Sequence, residues 1–175
     1  MGRIKLPRSA GRGIMKKAAD RLKFVDDPFD TSGLLKPNAR YRTGKPGAGT
    51  SYRYTTDGKG RITSAQARPL KLDGSGRARH NPNTPGKRDG DHAGHIFGDR
   101  FGGSPELDNL ISQARRVNLS EFRVMENKWA RLLNRRPPPR IDVDIKINYG
   151  SGPRPTSFTI TEVIDGVPKV FTITN

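Results

Sequence analysis

Three features of the 175-residue chain predict an α+β domain. The stretch I-D-V-D-I-K-I-N-Y (141–149) alternates apolar and polar residues without a break, the period of a half-buried strand. Two β-branched and aromatic runs, 158–164 and 167–174, flank Asp165-Gly166, a type I′ hairpin signal. Ahead of these strands, one amphipathic helix is legible at about Leu119–Asn134.

Taken in order, residues 1–35 are basic, poor in aromatics and broken by Gly11-Arg12-Gly13 and Asp26-Asp27-Pro28. They read as an arm or linker, with a short helix at Met15–Phe24, and leave 36–175 as the folded domain. Ser51–Thr56 and Arg61–Ala67 flank Asp57-Gly58-Lys59-Gly60 and predict a first hairpin. Residues 72–90, with R-A-R-H at 77–80, form a long polar loop, and loops of that length are usually functional or disordered.

In the helix, Ser120 is the expected N-cap. Phe122, Met125, Trp129, Leu132 and Leu133 define its buried face, and Pro137-Pro138-Pro139 stops it. At 100° per residue Glu126 falls about 40° from Phe122, inside or beside the apolar face, where a carboxylate needs a compensating partner. In the last hairpin the Asp165-Gly166 turn sets Ile160 opposite Phe171, Phe158 opposite Ile173 and Glu162 opposite Lys169. Two apolar pairs and an ion pair support that register.

Net charge is +16 and the pI is about 10.8. Basic side chains gain by displacing counterions from phosphates, so a polyanionic partner is expected. The charge is uneven: residues 1–90 hold 21 Lys/Arg against 7 Asp/Glu, and residues 91–175 hold 12 against 10. With no cysteine, disulfides and thiolate-ligated zinc are excluded. No apolar run approaches the roughly 20 residues of a membrane span, and the basic N-terminus lacks the apolar segment of a signal peptide.

Two of the three histidines, His92 and His95, lie in G-D-H-A-G-H-I-F-G-D-R-F-G-G (90–103), followed by Asn109, Asn118 and Glu126. An imidazole, two amides and a carboxylate after a glycine-dense turn suggest an oxygen-ligated hard cation beside a general base. Asn118 and Glu126 lie about 12 Å apart along one side of a helix, a span that a water-bridged ion could join.

These residues resemble the DNA/RNA non-specific endonuclease family, the ββα-metal nucleases. That family carries Asp-Arg-Gly-His, an Asn, a second Asn nine residues later and a Glu eight beyond that. Gly94-His95 matches the end of the first motif, and Asn109, Asn118 and Glu126 keep the spacings. The surrounding G-D-R-F-G-G, D-N-L-I-S-Q and E-N-K-W-A resemble the bacterial branch, often C-terminal toxin domains of larger secreted proteins. His92 and Ala93 stand where the family has Asp and Arg, with Asp91 adjacent, so Arg100 or Arg88 is expected to replace the arginine.

The resemblance implies a twisted antiparallel sheet carrying a ββα-metal finger and a long active-site helix. It also implies an activity, hydrolysis of DNA and/or RNA phosphodiester bonds. His95 would be the general base, and Asn118 the direct protein ligand of hydrated Mg²⁺, for which Mn²⁺ substitutes. Glu126 would hold the ion's waters, Asn109 would position His95 or the phosphate, and Arg100 would face phosphoryl charge. An acidic immunity protein is the expected partner, and the expected setting is secretion or delivery into the cytoplasm of a target cell, with no membrane partner. Two further readings stay open: a non-catalytic basic module that binds nucleic acid, and an HNH-type nuclease built on zinc or nickel.

Overall fold

The alternating stretch 141–149 is a full-length strand in this computed structural model, which describes residues 22–175. In chain order the strands are β1 (Lys23–Phe24), β2 (Ala39–Thr43), β3 (Tyr52–Thr56), β4 (Ile62–Ala67), β5 (Asp91–His95), β6 (Leu110–Ala114), β7 (Ile141–Tyr149), β8 (Pro155–Ile164) and β9 (Val167–Thr174). Seven of them form one sheet in the order β1-β2-β3-β4-β7-β8-β9, while β5 and β6 pair separately. Every pairing is antiparallel except β1 with β2, which is parallel. The expected all-antiparallel sheet is corrected at that edge alone.

Both expected hairpins are present, the first within a residue of its expected ends, with β3 on β4 and β8 on β9. Asp165 and Gly166 take φ of 47° and 83°, as a type I′ turn requires. The register sets Ile160 opposite Phe171, Phe158 opposite Ile173 and Glu162 opposite Lys169, as the sequence predicts. The expected ion pair does not form. Glu162 faces inward at 2% exposure, and its carboxylate is taken by Lys128 Nζ and by Trp129 Nε1 at 2.7 Å. Lys169 Nζ lies 5.7 Å from the Phe171 ring centroid instead.

The helical segment starts earlier than expected. Val117–Phe122 forms a π-helical turn that runs straight into α1 (Arg123–Leu133). Ser120 therefore sits inside the helical run and caps nothing. The π-helical turn has no side-chain cap and follows Arg115 and Arg116, which are already helical. The inward face is the expected one. Phe122, Met125 and Trp129 are buried, Leu132 and Leu133 partly so, and the Phe122 ring meets Phe158 edge-on at 5.2 Å. Each such side chain removed from water contributes roughly 1.5–3 kcal/mol.

The expected helix at Met15–Phe24 falls mostly outside the described residues, and Lys23–Phe24 within it is strand β1. Residues 22–35 bond to the body: Val25 N–H donates to Arg40 O at 2.9 Å, and Phe29 bridges to Leu35. No helix among the described residues is long and apolar enough to cross a membrane.

Three inward tyrosines connect this sheet to the site. Tyr41 and Tyr54 stack at 5.2 Å, and each buries its ring and donates its hydroxyl to the loop between β5 and β6. Tyr41 reaches Asp108 O at 2.8 Å, Tyr54 reaches Asn109 Oδ1 at 2.8 Å, and Tyr52 reaches Phe101 O. A buried tyrosine needs such a partner. Here all three partners lie in one loop, which is thereby fastened to the sheet.

Candidate active site

β5 and β6 are a short antiparallel pair whose last register position sets His95 opposite Leu110. Asp91, at the other end, accepts two hydrogen bonds from the Arg154 guanidinium at 2.7 and 2.9 Å, so the arginine of the β7–β8 connection anchors this finger. Arg154 holds the Asp91 carboxyl below the usual carboxylate range. After His95 the chain turns sharply. Ile96 N–H donates to Asn109 O, and a 3₁₀ turn (Asp99–Phe101) follows. Gly103 is obligatory there, because a Cβ would stand 1.8 Å from Phe97 O.

Asn109 is fully buried at 0% exposure. Its Oδ1 accepts from Phe97 N–H at 3.0 Å and from Tyr54, while its Nδ2 donates to Phe97 O at 2.9 Å and Ser104 O at 2.8 Å. Every polar atom of that amide is thus committed to the loop, and none is free to meet a phosphate. Asn109 reaches His95 only through the backbone it fixes.

The other four expected residues share a cleft of about 370 Å³. His95 comes from the end of β5, Arg100 from the 3₁₀ turn, Asn118 from the π-helical turn and Glu126 from α1. Arg77, Asp99, Arg123 and Asn127 complete most of its wall. Gly98 admits the carboxylate of Glu126: a Cβ on Gly98 would lie 2.4 Å from Glu126 Oε1. A second, largely apolar cavity of about 230 Å³, walled by Leu34, Ile62, Leu110 and Tyr149 among others, holds none of the five.

Burial governs the electrostatics. His95 Nε2 is buried with no hydrogen-bond partner among the described residues. Burial first, then the facing His80, lowers the imidazole to about 4. The ring is therefore neutral and can accept a proton throughout the neutral range. Burial pushes the Glu126 carboxyl up to about 7, against the pull of Arg100 and of the Gly98 amide.

A buried carboxylate and an amide oxygen lining one cleft are hard donors, short of positive charge, and they fit a hydrated divalent cation. Among the described residues no three His, Cys, Asp or Glu side chains gather in one place, which suits an ion that keeps its waters better than a histidine-ligated zinc or nickel centre.

His92 pairs across to Gln113 and does not line the cleft. Arg88 also stays out, its backbone bonding to Asp91, so of the two arginines expected to compensate for Ala93 only Arg100 reaches the wall, where it donates to Asn127 Oδ1 at 2.7 Å. The cleft wall also holds Arg77, from the basic loop 72–90 expected to meet substrate phosphates, and Arg123, which no motif marked, while the His80 ring sits edge-on to His95 at 5.1 Å. Arg77 and His80 were visible only as part of R-A-R-H. Buried Lys45 pairs with Asp73 and Asp99, and Asp99 Oδ1 accepts from Ala78 N–H at 3.0 Å, which folds that loop inward, with Arg77 on the cleft wall and the His80 ring against His95.

Residues 37–166 match the family model of the DNA/RNA non-specific endonucleases. The chain belongs to that family. This nuclease domain is also 31% identical, over 150 residues, to the type VII secretion system protein EssD of Staphylococcus aureus strain USA300, and equally to that protein in strain NCTC 8325 / PS 47. The match covers 81% of the chain but 24% of those proteins, so the chain spans about a quarter of the curated relatives' length. Its fold matches the crystal structure of NucA from Streptococcus agalactiae, solved with no metal bound, at a TM-score of 0.53 and 11% identity, over 95% of this chain and 90% of that one.

Proposed function

We propose that the domain is a divalent-cation-dependent endonuclease that hydrolyses DNA, RNA or both without sequence preference. The observation that carries this reading is convergence: His95, Arg100, Asn118 and Glu126 come from four different elements and line one cleft. His95, held neutral by burial, takes the proton of the attacking water. Asn118, through its amide oxygen, and Glu126 are the residues that would hold the hydrated ion. Mg²⁺, or Mn²⁺ in its place, would supply positive charge to the scissile phosphate when bound. Arg100, with Arg77 and Arg123, meets the phosphate backbone, which carries no sequence information directly, so contacts of this kind do not select a sequence. Asn109 is a positioning residue, holding the loop on which His95 and Arg100 stand.

The test is cleavage of plasmid DNA and of RNA with and without EDTA, by wild type and His95→Ala. Cleavage that needs the cation and His95 supports the assignment. Binding without any cleavage would point to the non-catalytic module instead.

The likeness to part of a type VII secretion protein supports a further role as the toxin domain of a secreted bacterial effector, acting in the cytoplasm of a target cell and checked by an acidic immunity protein.

A further inference from the structure

The sheet has a second face, turned away from α1 and the finger. On β2 and β3 the inward positions hold Tyr41, Tyr52 and Tyr54, and the outward ones hold Arg40, Arg42 and Arg53. Arg42 and Arg53 are direct partners in the antiparallel register. Like charges directly opposite are destabilising. Neither has an acidic partner among the described residues, and the Arg40 guanidinium bonds there only to Leu22 O. The acid nearest in register, Asp144 opposite Gln66, is engaged by Arg68 at 2.6 Å. Beside Arg40 on the edge strand stands Phe24, 62% exposed. Together these side chains line a groove of about 330 Å³, floored by Thr55 and Gln66.

We infer that this outer sheet face is a second binding site for nucleic acid, specifically for a single strand. Unpaired arginines set opposite each other suit a bridging phosphate, which would relieve their repulsion. An exposed phenylalanine at a basic groove offers a stacking platform that an unpaired base can use and a stacked base pair cannot. The face lies across the sheet from the catalytic cleft, so it retains a long substrate without entering the reaction. It takes its substrate class from the nuclease reading of the cleft but uses none of the cleft's residues.

The experiment is binding of fluorescein-labelled oligo-dT, and of a duplex, to the whole chain in EDTA over a salt series. Wild type, the double variant Arg42→Ala/Arg53→Ala, and Phe24→Ala are compared. The double variant is expected to lower the slope of log K against log salt by about 1.4 for the single strand, two phosphate contacts' worth. Phe24→Ala is expected to weaken oligo-dT binding roughly 5- to 150-fold and leave duplex binding unchanged. Arg53→Gln alone should raise Tm slightly by removing the like-charge pair, whereas a fall in Tm would mean the arginines serve the fold and would count against the site. An unchanged salt slope in the double variant overturns the inference, including the case where the face serves a protein. Cleavage of plasmid by wild type with Mg²⁺ is scored separately, so the nuclease reading and this site fail independently.

Discussion

At the scale of single residues, His95 and Glu126 are set in opposite directions by the same burial. His95→Ala removes the proposed base and little of the packing. His95→Ala should therefore lower cleavage at least roughly 100-fold while Tm stays within a few degrees. Equal cleavage by the variant, measured on plasmid with Mg²⁺, would move the base elsewhere. Asn118→Ala should lower turnover far more than DNA affinity, because the ion's charge counts where charge develops. Proportional losses in both would contradict that role.

The two groups link stability to pH with opposite signs, which can be checked in EDTA. The His95 ring goes from 6.5 to about 4 on folding, so between those values the unfolded chain holds a proton that the folded chain lacks, and stability falls as pH drops. The Glu126 carboxyl goes from 4.5 to about 7, so there the folded chain holds the extra proton, and stability falls as pH rises. Across the shared window, from 4.5 to 6.5, the two slopes oppose each other. Glu126→Gln should uncover the histidine limb, giving a Tm that climbs with pH where the wild-type profile is flatter. Superimposable profiles would show that this carboxyl does not carry its proton near neutrality.

At the scale of elements, the β5–β6 loop is the part whose rigidity the chemistry depends on. Asn109→Ala deprives Phe97, Ser104 and Tyr54 of buried partners, each worth roughly 1–3 kcal/mol when left unsatisfied. Tm and cleavage should fall together, unlike His95→Ala, and loss of cleavage at unchanged Tm would return Asn109 to direct chemistry. This residue also marks how far sequence can be read. Its spacing to Asn118 and Glu126 placed it in the site, but spacing does not say which way an amide turns, and this one turns into the core. Strand 141–149 and the Asp165-Gly166 hairpin were legible because period and turn chemistry are local. The helix start was not, because a π-helical turn without a side-chain cap leaves no local signature. Glu162 and Lys169 are correctly opposed, yet register fixes who stands across the ladder and not who reaches in from above. Lys128 and Trp129, brought there by α1, win the carboxylate. Arg77 joins the cleft wall where the Lys45–Asp73–Asp99 contacts fold its loop inward, which no spacing announces.

At the scale of the whole molecule, +16 on 175 residues is a property of the surface and not of the fold. Part of it gathers at the cleft, where Arg77, Arg100 and Arg123 outnumber Asp99 and Glu126. A domain that cuts any phosphodiester endangers the genome of the cell that makes it, unless it is exported or neutralised. Charge dictates what a neutralising protein must look like: an acidic surface speeds association with this cleft and suppresses wrong partners, and it competes for the arginines proposed to meet substrate phosphate. The expected partner is thus an acidic protein that covers His95, and its affinity should drop with salt and with Arg100→Ala or Arg123→Ala. Expression of the domain in a bacterial host, with and without the product of the neighbouring gene, is the measurement. Killing by the domain, no killing by His95→Ala and rescue by the neighbour support it. A domain that is harmless in the cytoplasm, or a neighbour that neither binds nor protects, would leave export as the producer's safeguard and remove the inhibitor from the account.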